Sequence, residues 1–363
     1  MIDYIKDFHY QWTAVASLCA FMIFIWLRPR FGKPAAWLFL SSAASAVYVW
    51  ILVENRYLHV NPYDQMALRY FACDSIAKIL LIAFPLIFLS DNRPKMRGIG
   101  EVLSLLFVMV SSCMAIWQAR HGCDMNNCGG LIGNPSISMG MMVCMLPICL
   151  FSWRYQWIVI GLASIAVFLS QSSVAIGLLA AYAALKFLPG IFVKSKAKAR
   201  NLALACILVL GIMGAGRLMA GRNFTSDSYR FKVWEFMFER WNLPANIPFG
   251  TGIGTYHVIS INLQNAPKME PVARGYWWNT LHNDFLQVLF ECGAVGLLFF
   301  CLTYCSALTK VLIEGDYGVA ISIVLYGLYM LMDPAFHNPL PILFGAWLFI
   351  YALRRPHTNK EFL

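Results

Sequence analysis

Apolar residues fall along this chain in blocks of about 17 to 21, close to the ~20 that a helix needs to cross a ~30 Å hydrocarbon core. Of 363 residues, 60% are hydrophobic and only 13% charged, with a mean hydropathy of +0.62. Globular chains carry roughly a quarter charged residues, so a soluble domain could not hide this much apolar surface. The blocks lack the period-2 alternation of a membrane barrel. Helices are therefore the spanning structure left to a backbone that must satisfy its hydrogen bonds inside lipid. The fold class expected is an all-α polytopic integral membrane protein of about 11 transmembrane helices, with one large periplasmic loop containing short amphipathic helices.

The expected spans are 11–27, 35–53, 70–90, 99–118, 138–152, 156–170, 173–192, 202–220, 285–307, 318–332 and 339–353. The start carries Asp3, Lys6 and Asp7, and its apolar block from Trp12 to Leu27 runs into Arg28-Pro29-Arg30. That block reads as a retained first span rather than a cleaved signal. Fifteen Lys and Arg fall in one set of short loops, among them Arg28, Arg93, Arg97, Lys194, Lys310 and Arg354; four, Lys6, Arg56, Arg69 and Arg120, fall in the other. The positive-inside rule then predicts an external N-terminus and a cytoplasmic C-terminus. The formal net charge of +10 sits at span ends, without a basic patch interleaved with aromatics, so no nucleic-acid partner is expected.

Three regions follow: an N-terminal transmembrane bundle (1–216), a large periplasmic loop with the candidate active site (217–284), and C-terminal helices with a cytoplasmic tail (285–363). Within the loop, Ser226 to Trp241 has helical spacing. Phe231, Trp234, Phe238 and Trp241 form one apolar stripe expected to face the headgroup zone, with Lys232, Glu235 and Glu239 opposite.

Two later motifs could carry chemistry. Pro248-Phe249-Gly250-Thr251-Gly252-Ile253-Gly254 is either a tight turn or a place where backbone amides approach an anion, with Gly252 and Gly254 central. Trp277-Trp278-Asn279-Thr280-Leu281-His282-Asn283-Asp284 lies one turn outside the ninth span. Imidazole is suited to taking a hydroxyl proton near neutrality. Equally, Asn283 or Asp284 could be a helix cap with His282 incidental to it. Arg217, Arg222, Arg230, Arg240 and Arg274 share the loop; guanidinium groups clamp phosphate in forked pairs, and each could equally be a solvated loop charge. Trp278 suits sugar stacking or an aromatic belt. Cys123 and Cys128 flank an external loop and could pair or stay free. Asp74 and Lys78 can neutralise each other within a span, and Asp333 and His337 lie in an external turn. No metal-ligand pattern is found in the sequence, and no cofactor is expected.

The order Arg230-x-x-x-Trp234, Pro248-Phe249-Gly250-x-Gly252-x-Gly254, Leu281-His282-Asn283-x-Phe285-Leu286 and Glu291-x-Gly293-x-x-Gly296 resembles the C-terminal half of the O-antigen ligase and polymerase superfamily. Gly130-Leu131-Ile132-Gly133-Asn134-Pro135 is similar to that family's first external loop. The resemblance implies a multi-pass protein of the bacterial inner membrane. It implies a metal-independent inverting glycosyltransferase, acting on an undecaprenyl-diphosphate-linked glycan donor. The acceptor would be a glycan, lipid A core or a protein hydroxyl, as in O-oligosaccharyltransferases. His282 and Arg230 would be the catalytic pair, with Arg217, Arg222, Arg274, Gly252, Gly254, Asn283 and Trp278 binding substrate. Ser170-Gln171-Ser172-Ser173 departs from the family, placing Gln171 where an arginine is usual. The competing reading is a transporter or flippase that moves a lipid without bond cleavage.

Overall fold

The computed structural model describes residues 93–121, 128–132, 134–149, 156–187, 230, 232–235, 237–239, 246–251, 256, 280–335 and 339–353. Its helices are α1 (Arg93–Arg120), α2 (Pro135–Cys149), α3 (Gln156–Ser170), α4 (Ser173–Phe187), α5 (Asn246–Phe249), α6 (Asp284–Ile313), α7 (Tyr317–Met332) and α8 (Pro339–Leu353). There is no strand among the described residues. From Arg97 onward, α1 is long and apolar enough to cross a membrane, as is α6; α2, α3, α4, α7 and α8 are shorter apolar helices. Seven of the expected spans thus coincide with helices. Those at 11–27, 35–53, 70–90 and 202–220 lie outside the described residues, as do Asp74, Lys78, Cys123 and His337.

The chain divides into two compact units. One contains nearly all of α1, with α2, α3, α4 and α7. Its centre is α2, buried from Ile137 through Cys149. A helix that is apolar all round must be enclosed on every side, and α2 packs against α3, α4 and α7, while α7 also packs against α4. Asn134 caps α2: its Oδ1 accepts from Ser136 N at 3.0 Å and Ile137 N at 3.3 Å. The α3–α4 turn puts Gln171 at φ 49°, between the buried Ser170 and Ser172. In the same unit, Arg97 Nη1 donates to both carboxylate oxygens of Asp316, at 2.6 and 2.5 Å. Its Nε donates to Glu101 at 2.7 Å. Asp316 caps α7 through Val319 N at 3.3 Å.

The second unit contains α5, α8 and α6 as far as Ala307. The ninth span is not the single rod that its hydropathy suggests. Gly293 leaves the helical region (φ 70°, ψ −172°), dividing α6 into 284–292 and 294–313. Phe285 and Phe300 would stand about 22 Å apart along a straight helix, yet their ring centroids are 5.3 Å apart. Phe285 also meets Tyr304 at 6.4 Å, and Tyr304 meets Phe349 of α8 at 6.0 Å. The segments of α6 therefore turn sharply toward one another at Gly293. This brings the stretch leading into Asp284 back beside the Phe300–Tyr304 level.

Candidate active site

The bend in α6 also receives the glycine-rich motif. Where a continuous helix would fill the carbonyl of Phe290 from within, Thr251 donates to it from outside: its N at 3.0 Å and its Oγ1 at 3.2 Å. Gly250 has φ 73° and Gly293 φ 70°, a region open to glycine and strained for other residues. A Cβ on Gly250 would collide with the Glu291 backbone, and one on Gly293 with the Pro248 carbonyl and Gly250 N. Two backbones are thus in direct contact, and only glycine at both positions permits it. Here the turn reading of the motif fits; Gly252 and Gly254 lie outside the described residues.

His282 occupies a second unusual backbone position, at φ 51°. Left-handed backbone is uncommon outside glycine, although histidine, asparagine and aspartate adopt it more often than other residues. Its neighbours hold the turn from both sides. Asn283, buried, is the cap of α6: its Oδ1 accepts from Leu286 N at 3.1 Å and its carbonyl from Gln287 N at 3.0 Å. That is the capping geometry in which a side-chain acceptor satisfies an orphan first-turn amide. On the other side, the Trp234 indole Nε1 donates to the Leu281 carbonyl at 2.7 Å. Leu281 N donates to Gln287 Oε1 at 3.4 Å. The cap reading for Asn283 therefore fits, but His282 is not incidental to it: the cap and the indole together fix its backbone.

A buried polar line continues down the first segment of α6. Gln287 Nε2 donates to Glu291 Oε1 at 3.2 Å, and that same oxygen accepts from Tyr256 N at 3.3 Å. Asp284, Gln287 and Glu291 are all buried, at helical spacing on one face. The Tyr256 phenol is pushed well above its ordinary value by burial, with the Glu291 carboxylate adding to the effect. Gln287, Glu291 and Tyr256 thus tie the glycine-rich stretch to the histidine turn. Sequence reading did not single them out as a network, because a lone Gln and Glu in an apolar block carry no signal of what they face.

The helical residues at 230, 232–235 and 237–239 agree with the expected loop helix. Val233 and Met237 are buried, while Phe238 is 43% exposed. Lys232, Glu235 and Glu239 are exposed as expected. Phe231 and Trp241 lie outside the described residues. Trp234 is turned inward because its N–H has a carbonyl to meet. Arg230 stands one helical turn before Trp234, on the same face. Trp234, Met237 and Phe238 line an apolar groove with Leu281, Leu286, Leu289 and Phe290. Of the candidate site residues the structure describes Arg230, His282 and Asn283, and Trp234 links the helix bearing the first to the turn bearing the others. Arg217, Arg222, Arg274 and Trp278 lie outside the described residues.

Residues 137–301 match the O-antigen ligase family. No curated protein matches the chain. The matched stretch begins in α2, ends in the second segment of α6, and contains the glycine junction, the Trp234 tether and His282.

Proposed function

We propose, on the premise of the match of residues 137–301 to the O-antigen ligase family, that the chain transfers a glycan from undecaprenyl diphosphate to an acceptor hydroxyl on the periplasmic side of a bacterial inner membrane. The acceptor oxygen attacks the anomeric carbon of the donor, and the bond from that carbon to the diphosphate breaks. The hydroxyl proton passes to the His282 imidazole, which is the general base. Undecaprenyl diphosphate departs with the bonding electrons. Attack opposite the leaving group inverts the anomeric centre. Arg230, with Arg217, Arg222 and Arg274 from the same loop, neutralises the charge that builds on the leaving diphosphate. A fixed cation aimed at developing charge is worth most where water is excluded. No metal is called for in this scheme.

The observation that carries this reading is the backbone of His282, held at φ 51° between a helix cap and the Trp234–Leu281 hydrogen bond. Strained non-glycine backbone cluster at functional sites and persist where their surroundings hold them. The groove beside it, lined by Trp234, Leu281 and Leu286 among others, suits the first units of a prenyl chain, with the arginine one turn away suiting its diphosphate.

The testing experiment is the surface polysaccharide of a strain lacking the protein. Loss of all polymer from lipid A core, with donor accumulating, marks a ligase; single repeat units on the core mark a polymerase. Unchanged lipopolysaccharide together with an underglycosylated periplasmic protein marks protein transfer. Unchanged glycosylation of every acceptor, with a labelled lipid still crossing vesicles that hold the purified protein, would reject the enzyme reading in favour of a flippase.

A further inference from the structure

The bend at Gly293 also locates the edge of the bilayer. The segment 294–313 has the ~20 residues and ~30 Å rise of one hydrocarbon crossing, with Lys310 in its last turn able to extend its ammonium to the far interface, so a crossing by this segment puts the apex at Gly293 at the near boundary. Exposure changes at the same place. No residue from 284 to 293 is exposed, whereas Ala294 is, followed by Leu298 at 56% and Leu302 at 46%. These recur every fourth position, giving the apolar stripe of a helix that faces lipid. Beside the start of that stripe stand Ile247, 44% exposed, and Phe249, 58% exposed. They flank Pro248, whose carbonyl abuts Gly293.

We propose that Ile247 and Phe249 form a membrane anchor, inserting among phospholipid acyl chains at the bilayer edge where the glycine-rich loop meets the α6 apex. Two large apolar side chains held outward would be costly in water, and burial of each in lipid is favourable. Their level is not adjustable by loop motion alone, because Thr251 is hydrogen-bonded to Phe290 and the Gly250 and Gly293 backbones are in contact. The bilayer continues the face already presented by Ala294, Leu298 and Leu302. An apex held at the boundary keeps the His282 turn, folded back toward Phe300, at membrane level. A lipid-linked substrate then need not leave the bilayer to reach it. The anchor itself does not depend on the reaction assigned to the protein.

The test is site-specific photocrosslinking of the full chain in native membranes, with p-benzoylphenylalanine at Phe249, Ile247, Leu298 or Glu235 in turn. Mass spectrometry then identifies adducts. Phospholipid adducts are expected at Phe249, Ile247 and Leu298, and at least tenfold fewer at Glu235, which lies on the charged side of the loop helix. Four results would overturn the proposal: adducts at Leu298 with none at Phe249 and Ile247; no adduct at Leu298, which removes the lipid-facing stripe; adducts at Glu235 equal to those at Phe249; or prenyl-diphosphate adducts alone at Phe249, which would make it a substrate contact. A probe at Ile247 keeps the test decisive should the Phe249 variant fail to reach the membrane.

Discussion

The Trp234 indole donates to the carbonyl of Leu281 at 2.7 Å across 47 positions of sequence, and the next residue is His282. A side-chain hydrogen bond contributes about 0.5–1.5 kcal/mol net, more when a buried partner is left unsatisfied. Trp234→Phe keeps most of the ring and removes the donor. Glycan transfer by this variant is expected to fall by about tenfold, the equivalent of about 1.4 kcal/mol, while the amount in the membrane stays within twofold. A radiolabelled-glycan transfer assay alongside immunoblotting checks both. Undiminished transfer would mean that the tether does not position the histidine turn.

Gly250→Ala and Gly293→Ala make a separate pair of tests. Each places a methyl group into facing backbone and asks alanine to adopt a positive φ, at a cost of about 1–3 kcal/mol from backbone strain alone. Both variants should melt several degrees below the parent in detergent. Gly98→Ala, whose Cβ would meet nothing within 4 Å and which lies inside α1, should melt at or slightly above the parent, because alanine is the better helix former.

Asp316 does two jobs at once, accepting Arg97 and capping α7. The pair is mostly shielded, with 17% of each side chain exposed, so it lies between the weak surface case and the costly buried one. Asp316→Asn retains a capping oxygen and loses the charge; Asp316→Ala loses both. Thermal melting is expected to rank parent above Asn above Ala, with about 0.5–2 kcal/mol for the cap step. Equal melting of the two variants would remove the capping role.

Tyr256 provides a pH signature. Its phenol is raised above the ordinary value by burial and the nearby Glu291. The unfolded chain therefore ionises first. Stability tied to this group is fully present below about pH 10 and is lost as pH climbs toward the folded-state value. Tyr256→Phe should melt like the parent at pH 7 and outlast it above pH 10. A melting series from pH 7 to 11 reads the difference.

The sequence made the helices visible for a simple reason. Blocks such as Ile137–Cys149 are apolar on every side, so burial and helix length both follow from composition. Asn283 was legible as a cap because the residue type and its place before an apolar run carry the signal, whereas the capping by Asn134 was not read from the sequence. The fold-back of α6 was not legible. Apolar residues continue through Gly293, so hydropathy sees one span, and only the contact of Phe285 with Phe300 reveals two segments. On the loop helix the aromatic spacing does not reveal that Val233 and Met237 are the side packed against protein, while Phe238 stays exposed. Trp234 turned inward for a hydrogen bond 47 residues away, and no local pattern encodes a partner at that distance. The docking of Gly250 on Gly293 is equally non-local, although the two glycine motifs were each visible alone.

Arg230→Lys separates forked phosphate binding from plain charge. Lysine retains the cation and loses the planar pair of donors. If Arg230 grips the leaving diphosphate through two parallel hydrogen bonds, the lysine variant should lose at least about tenfold in kcat/KM, with addition of salt failing to restore it. Full activity in Arg230→Lys would reduce the role of this residue to general electrostatics.

The central claim is that this chain transfers glycan with His282 as the base. The direct measurement is transfer by purified protein in proteoliposomes, supplied with an undecaprenyl-diphosphate glycan and an acceptor and compared with His282→Ala at equal insertion. The account predicts one undecaprenyl diphosphate released per glycan transferred by the parent, and a rate at least about 100-fold lower in the variant. Equal rates for parent and His282→Ala would contradict it.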